Sequence, residues 1–142
     1  MCYIMYGDMM IEYIRKTLDN QIQIARDGSV DYQDRTFQKV MNDLLKKQLT
    51  NLDAREKTTM KIFSFTSKSP IYIDSKNLLL CIRSYRMQRS LYVNYHAIRD
   101  YRSYEKDIII SFYNAHEFRI EEKYAFLSQI KKAIVILEFL KQ

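Results

Sequence analysis

The 142-residue chain carries 23 Lys and Arg against 17 Asp and Glu, a net charge of +6, and is 47% hydrophobic, with 12 Tyr, no Trp, two Gly and one Pro. One domain over residues 1–142 accounts for that length and can bury a core without disulfide or structural metal. The charge favours an anionic partner, two glycines exclude a Gly-rich phosphate loop, and the N-terminus lacks the layout of a signal peptide.

Residues 2–6 and 9–14 are apolar and β-rich about Gly7-Asp8, which predicts a hairpin. Residues 21–25 alternate and predict a third strand before the turn at Asp27-Gly28. From Asp34 the pattern becomes helical: Phe37, Val40, Met41, Leu44, Leu45, Leu49 and Leu52 form one apolar stripe, with Lys39, Asn42, Lys46 and Lys47 opposite. Residues 53–62 either extend that helix after a break or form a loop. Strands are predicted at 71–73, 78–82, 91–98, 108–113 and 117–120, the last two joined by a short turn at Asn114-Ala115-His116. A terminal helix over 124–141 has its stripe at Phe126, Leu127, Ile130, Ala133, Ile134, Leu137 and Leu140. The layout is α+β: antiparallel strands, one amphipathic helix after the N-terminal hairpin region and one C-terminal helix packed on the sheet.

No catalytic constellation stands out, and the chain is not expected to be an enzyme. His96 and His116 have no metal-ligand spacing, and no cofactor is implied. Cys81 lies in the aliphatic run Leu78–Ile82, where burial raises a thiol's pKa and suppresses the thiolate that a pairing with His96 would need. Asp31 with Asp34, and Glu121 with Glu122, lie at element boundaries, where solvation and capping explain them. The apolar run at 133–137 is too short to span a bilayer, and the terminal helix is too apolar on one side and too poor in Lys and Arg on the other to suit a lipid surface. A cytoplasmic location is expected.

Positive charge is concentrated. Residues 83–104 hold Arg83, Arg86, Arg89, Arg99 and Arg102 against Asp100 alone, interleaved with five tyrosines, and residues 39–68 hold seven cations against three acids. Arginine forks and tyrosine faces suit nucleic acid, though a protein contact or a solvated strand surface would use the same residues.

The order of several segments resembles the bacterial competence transcription factor family, the ComK type. Tyr3-Ile4-Met5-Tyr6-Gly7-Asp8-Met9-Met10-Ile11 is similar to that family's opening hairpin. Phe37-Gln38-Lys39-Val40-Met41, then Arg55-Glu56-Lys57-Thr58-Thr59 and Ser67-Lys68-Ser69-Pro70-Ile71, resemble its helix, basic segment and strand entry. Leu91–Ile98 resembles an aromatic-Ile-Asn/Ser-x-His-x-Ile strand, and Ile108–Asn114 the strand before an Asn-Gly turn. The chain departs from the family at Ala115, which stands where Gly is usual, so that the turn is expected to have changed type. It departs again at Cys81-Ile82-Arg83-Ser84, near the place of an absent Phe-Pro-Thr segment, and it stops at Gln142 where better-known members continue into a tail.

The resemblance implies a nucleoid-associated regulator that binds AT-rich double-stranded promoter DNA through the minor groove, as a homodimer or higher oligomer, and switches on DNA-uptake genes. Arg55, Lys57, Lys68, Arg83, Arg86 and Arg89 are the candidate DNA contacts, with Asn94 and His96 open between that role and satisfied polar residues on a strand. RNA polymerase and a Clp-type degradation adaptor are implied as further partners. The alternative is a shortened paralogue acting through contacts with a full-length relative or such an adaptor.

Overall fold

The computed structural model describes residues 10–141. Its strands are β1 (Ile11–Lys16), β2 (Ile22–Arg26), β3 (Ser29–Gln33), β4 (Ile71–Asp74), β5 (Asn77–Arg83), β6 (Leu91–Asn94), β7 (Ile98–Ser103), β8 (Ile108–Phe112) and β9 (Glu117–Ile120). The helices are α1 (Phe37–Leu45), α2 (Leu52–Phe63) and α3 (Lys123–Leu140). The architecture is α+β, with one antiparallel sheet in the order β3-β2-β1-β6-β5-β4 and a second in the order β7-β8-β9.

The larger sheet is apolar on both faces. Ile14, Ile24, Ile71, Leu79 and Tyr92 meet Phe37, Val40, Met41 and Leu45 of α1 and Leu52 of α2. On the other face Leu78, Leu80, Ile82 and Val93 meet Ile108, Ile110 and Phe112 of the second sheet and Phe126, Ala133 and Ile136 of α3. Each such side chain contributes roughly 1.5–3 kcal/mol through burial, so two cores on opposite faces fix the sheet between two layers.

The predicted hairpin about Gly7-Asp8 lies outside the described residues, except that its second strand continues as β1. The Asp27-Gly28 turn is present, with Gly28 left-handed (φ 74°) between paired Arg26 and Ser29. It leads into β3, which sequence periodicity does not reveal, because this edge strand is solvated on both faces.

The single helix expected from residue 34 to 52 is two helices. Thr36 caps α1 by accepting from the Lys39 N–H at 3.3 Å. A 3-10 turn at Lys46–Gln48 follows α1, and Leu49 then turns left-handed (φ 58°). Asn51 caps α2 by accepting from the Ala54 N–H at 2.9 Å, and Asn42 accepts from the Leu52 N–H at 2.8 Å. Local side-chain acceptors thus stop the first helix although the apolar period runs on. The segment left open at 53–62 is helical, as α2.

The strand expected over residues 91–98 also breaks. β6 ends at Asn94, a 3-10 turn at Tyr95–Ala97 follows, and β7 departs into the second sheet. In α3 the buried face is Phe126, Gln129, Ala133 and Ile136. Ile134 and Leu140, expected in the core, are each 46% exposed. The helix turns this way because Gln129 accepts from the Cys81 N–H at 2.8 Å, beside the bulge in β5, and donates to the Lys68 carbonyl at 3.0 Å. Cys81 is buried as expected. Burial pushes its thiol up, opposed by a hydrogen bond with Tyr92.

The β8–β9 turn is a three-residue loop. Phe112 donates to the His116 carbonyl at 2.9 Å, and the Ala115 N–H donates to the Phe112 carbonyl at 3.0 Å. Ala115 takes the left-handed position at φ 73°, where a Cβ costs about 1–2 kcal/mol. Ala115→Gly is therefore expected to stabilise the protein by about 1 kcal/mol, read as a higher urea midpoint at constant slope. An unchanged or lower midpoint would show that the loop does not hold this strain.

Candidate nucleic-acid interface

The start of α1 is where cations and open backbone donors meet. Its first turn holds no acidic residue, so its free N–H groups leave that end positive. Phe37 anchors the turn, stacking at 5.1 Å on Tyr85 and 4.7 Å on Tyr92. The Tyr85 N–H donates to the Tyr92 hydroxyl at 3.1 Å, which holds the β5–β6 loop against the helix. From the other side the Lys16 N–H donates to the Ser90 carbonyl at 3.1 Å. These contacts enclose a groove of about 470 Å³ whose lining includes Lys16, Arg35, Lys39, Tyr85 and Ser90, with Asp34 as its one acid.

Arg86 and Arg89 are exposed in the loop beside the groove, and the Arg86 guanidinium lies 4.8 Å from the Tyr85 ring centroid. Glu56 of α2 faces the same pair: burial pushes its carboxyl up, and the charge of Arg86 opposes that. Arg35 is held in place by Asp43, whose carboxyl it keeps below the ordinary range, and by Gln33 at 2.9 Å.

The candidate contacts named from the sequence do not form one surface. Arg86 and Arg89 are exposed in the β5–β6 loop, whose Tyr85 and Ser90 line the groove. Arg83 is half-buried and pairs with Glu122 at 3.1 Å, joining β5 to the start of α3. Arg55 lies over the Tyr72 ring at 5.6 Å with its Nε buried and unpartnered. Lys57 is exposed on α2 and pairs with Asp53 at 3.1 Å. Lys68 is exposed before β4, where its carbonyl accepts from Gln129 and Lys132.

Asn94 is fully buried. Its Oδ1 accepts from the N–H groups of Leu78 (3.0 Å) and His96 (3.1 Å), and its Nδ2 donates to Ile11 O (2.6 Å), Lys76 O (3.0 Å) and Asn77 Oδ1 (3.1 Å). Of the two roles left open for it, the structure places it in that of a satisfied interior residue. His96 is half-buried in the turn after β6, its Nε2 has no hydrogen-bond partner, and burial pushes its pKa down against the pull of Asp74.

The rest of the arginine-rich stretch is paired with carboxylates, one adjacent in sequence and one distant. Arg102 pairs with Glu117 at 2.8 Å and Arg99 with Asp100 at 3.5 Å. In the same sheet Arg119 pairs with Asp107 at 2.5 Å. Lys16, Arg35 and Lys39 went unrecognised as site residues, because the fold alone joins the β1–β2 turn to the start of α1. The one sequence signal for them was a helix start, Thr36 to Lys39, bearing a lysine and no acid.

The fold is thus an α+β protein with a cation-lined groove at the start of α1, and no three His, Cys, Asp or Glu among the described residues converge as a metal site. Residues 4–142 match the family described as ComK protein, and the chain belongs to that family. Membership points to a competence transcription factor. No curated protein and no solved structure matches the chain. Among the described residues no helix is long and apolar enough to cross a membrane.

Two outcomes follow from the polar interior. Asn94→Ala leaves the Leu78 and His96 N–H groups without their side-chain acceptor, at about 1–3 kcal/mol for each such group. It should destabilise the fold by about 3 kcal/mol or more in chemical denaturation; a small loss of stability with a large loss of DNA affinity would instead make Asn94 a contact. For His96 the folded pKa lies below the unfolded value near 6.5, so in that interval the unfolded chain binds more protons. The stability of the wild type relative to His96→Asn should be greatest above about pH 6.5 and shrink as the pH falls through the folded value; a flat or opposite difference overturns the assignment.

Proposed function

We propose that this chain is a bacterial regulator of competence genes that binds AT-rich promoter DNA through the basic end of the molecule, with Arg86, Arg89, Lys39 and Lys16 as the leading phosphate and groove contacts. The observation that carries the reading is that Lys16, Arg35 and Lys39 line one groove at the start of α1 against a single acid, Asp34, with Arg86 and Arg89 exposed in the loop whose Tyr85 and Ser90 complete the lining, while the arginines of the second sheet are paired with carboxylates. A narrow AT-rich minor groove has enhanced negative potential that draws Arg and Lys. Lys57 and Lys68 are outlying phosphate contacts in this reading, and His96, neutral at pH 7, is peripheral. In this reading the protein acts at the nucleoid in the cytoplasm, as a homodimer or higher oligomer, with RNA polymerase and a Clp-type adaptor as further partners.

A second reading, action through contacts with a relative or an adaptor, is favoured by the exposed apolar residues Ile134, Val135 and Leu140 on α3. The two readings part in one experiment. Fluorescence anisotropy on AT-rich and GC-rich duplexes at several salt concentrations should show tighter binding to the AT-rich duplex. Four to six phosphate contacts give a log-log salt slope of about −4 to −5. The double variant Arg86→Ala, Arg89→Ala should flatten that slope by about 2, whereas Arg102→Ala should leave it unchanged. Absence of wild-type binding at low salt overturns the DNA reading.

A further inference from the structure

Leu49 combines two features that folding does not explain. It is 95% exposed, and its backbone is left-handed at φ 58°. A leucine there buries no surface and strains its Cβ against the backbone, where Gly or Asn would serve the same turn.

The corner holding it is firmly built. Leu45 before it and Leu52 after it are buried in the core, the Leu49 N–H donates to the Lys46 carbonyl at 3.0 Å, and the Asn42 and Asn51 side chains fix the start of α2. The side chain is therefore presented on a rigid mount. Lys46 and Lys47 are exposed three and two residues before it. The nearest acids in sequence are engaged, Asp43 by Arg35 and Asp53 by Lys57.

Lys39 on α1 and Lys46 at its C-cap are seven residues apart, about two helical turns, and both are exposed. At 1.5 Å per residue they are separated by about 10 Å along the axis, or about three base steps of one strand at 3.4 Å each. The cationic groove lies at one end of this helix and Leu49 just past the other. A single exposed leucine after a lysine pair is too small to be a protein-docking patch. It has the form of the apolar wedges that minor-groove proteins insert between base steps to kink the duplex. Leu18, 84% exposed on the β1–β2 turn, lacks this setting because Asp19 stands beside it.

We infer that Leu49, two residues after the Lys46-Lys47 pair, is an intercalating wedge that enters a flexible step of AT-rich DNA and bends it, a role that rests on the DNA-binding reading above. The wedge gives a preference for pyrimidine–purine steps such as TA, which unstack easily.

The test compares wild type, Leu49→Gly and Leu49→Met on an AT-rich duplex with a TA step and dyes at both ends. Bending is read as energy transfer between the ends, affinity as anisotropy, and folding as thermal midpoint. Wild type and Leu49→Met should shorten the end-to-end distance. Leu49→Gly should leave the duplex as straight as free DNA and bind about tenfold more weakly, with its salt slope unchanged and its thermal midpoint equal or higher. If wild type binds without bending, or Leu49→Gly bends and binds like wild type, the wedge is overturned while DNA binding stands. If wild type does not bind at low salt, both fall.

Discussion

Two buried amides, Asn77 and Asn94, hold the junction on which the rest of the molecule depends. Asn94 reaches β1, the β4–β5 turn, β5 and the turn into β7 at once. Asn77 accepts from the Ile11 N–H at 2.8 Å and from Asn94 at 3.1 Å. A buried amide is costly unless every donor and acceptor is matched, so this arrangement tolerates only one register among the three strands. It also sets where β6 stops and the chain leaves for the second sheet. An apolar residue at 94 would pack well enough, but it would leave the Leu78 and His96 N–H groups without acceptors and the crossover undefined.

That crossover decides where charge lies. The second sheet and α3 cover one face of the large sheet, and most arginines carried there find carboxylates: Arg102 with Glu117, Arg119 with Asp107, Arg83 with Glu122. Such pairs add little stability at an exposed surface, but they cancel charge locally. On the other face the Phe37–Tyr85–Tyr92 stack holds the β5–β6 loop, which carries Arg86 and Arg89, beside the start of α1, where Lys16 and Lys39 line the groove. How a net charge of +6 is distributed matters more to an anionic partner than its total.

The α+β class and most strands were legible because apolar residues recur along them with the expected period. β3 was not, since an edge strand solvated on both faces leaves no apolar alternation to read. The helix break was hidden for the opposite reason: the apolar stripe continues through Leu49 and Leu52, while the deciding chemistry lies in the short polar side chains of Asn42 and Asn51. In the same way Gln129, not an aliphatic residue, sets the rotation of α3 by answering a bulge in β5. In the site, Arg86 and Arg89 were legible as part of an arginine-rich run. That Arg83, Arg99 and Arg102 would be neutralised was only partly visible, because Glu117 and Glu122 are far away in sequence, and the same topology supplies Lys16, Arg35 and Lys39 from outside the run.

Four non-glycine residues among those described have positive φ, and their identities separate fold from function. Asn20 belongs to a type that tolerates the left-handed region. Ser64 is a small residue at the C-cap of α2, with its N–H on the Met60 carbonyl, and Ala115 is a small residue closing a hairpin. At each of these the backbone hydrogen bonds require the conformation, and the side chain adds little burden beyond its Cβ. Leu49 satisfies a backbone bond in the same way, but it also places a large apolar side chain in water, and its corner is already fixed by Asn42, Asn51 and the buried Leu45 and Leu52. Glycine there would serve the fold better. A residue that folding disfavours on both backbone and solvation grounds, on a mount that folding makes rigid, is accounted for by something outside the folded chain, and the lysines beside it give that something a negative charge.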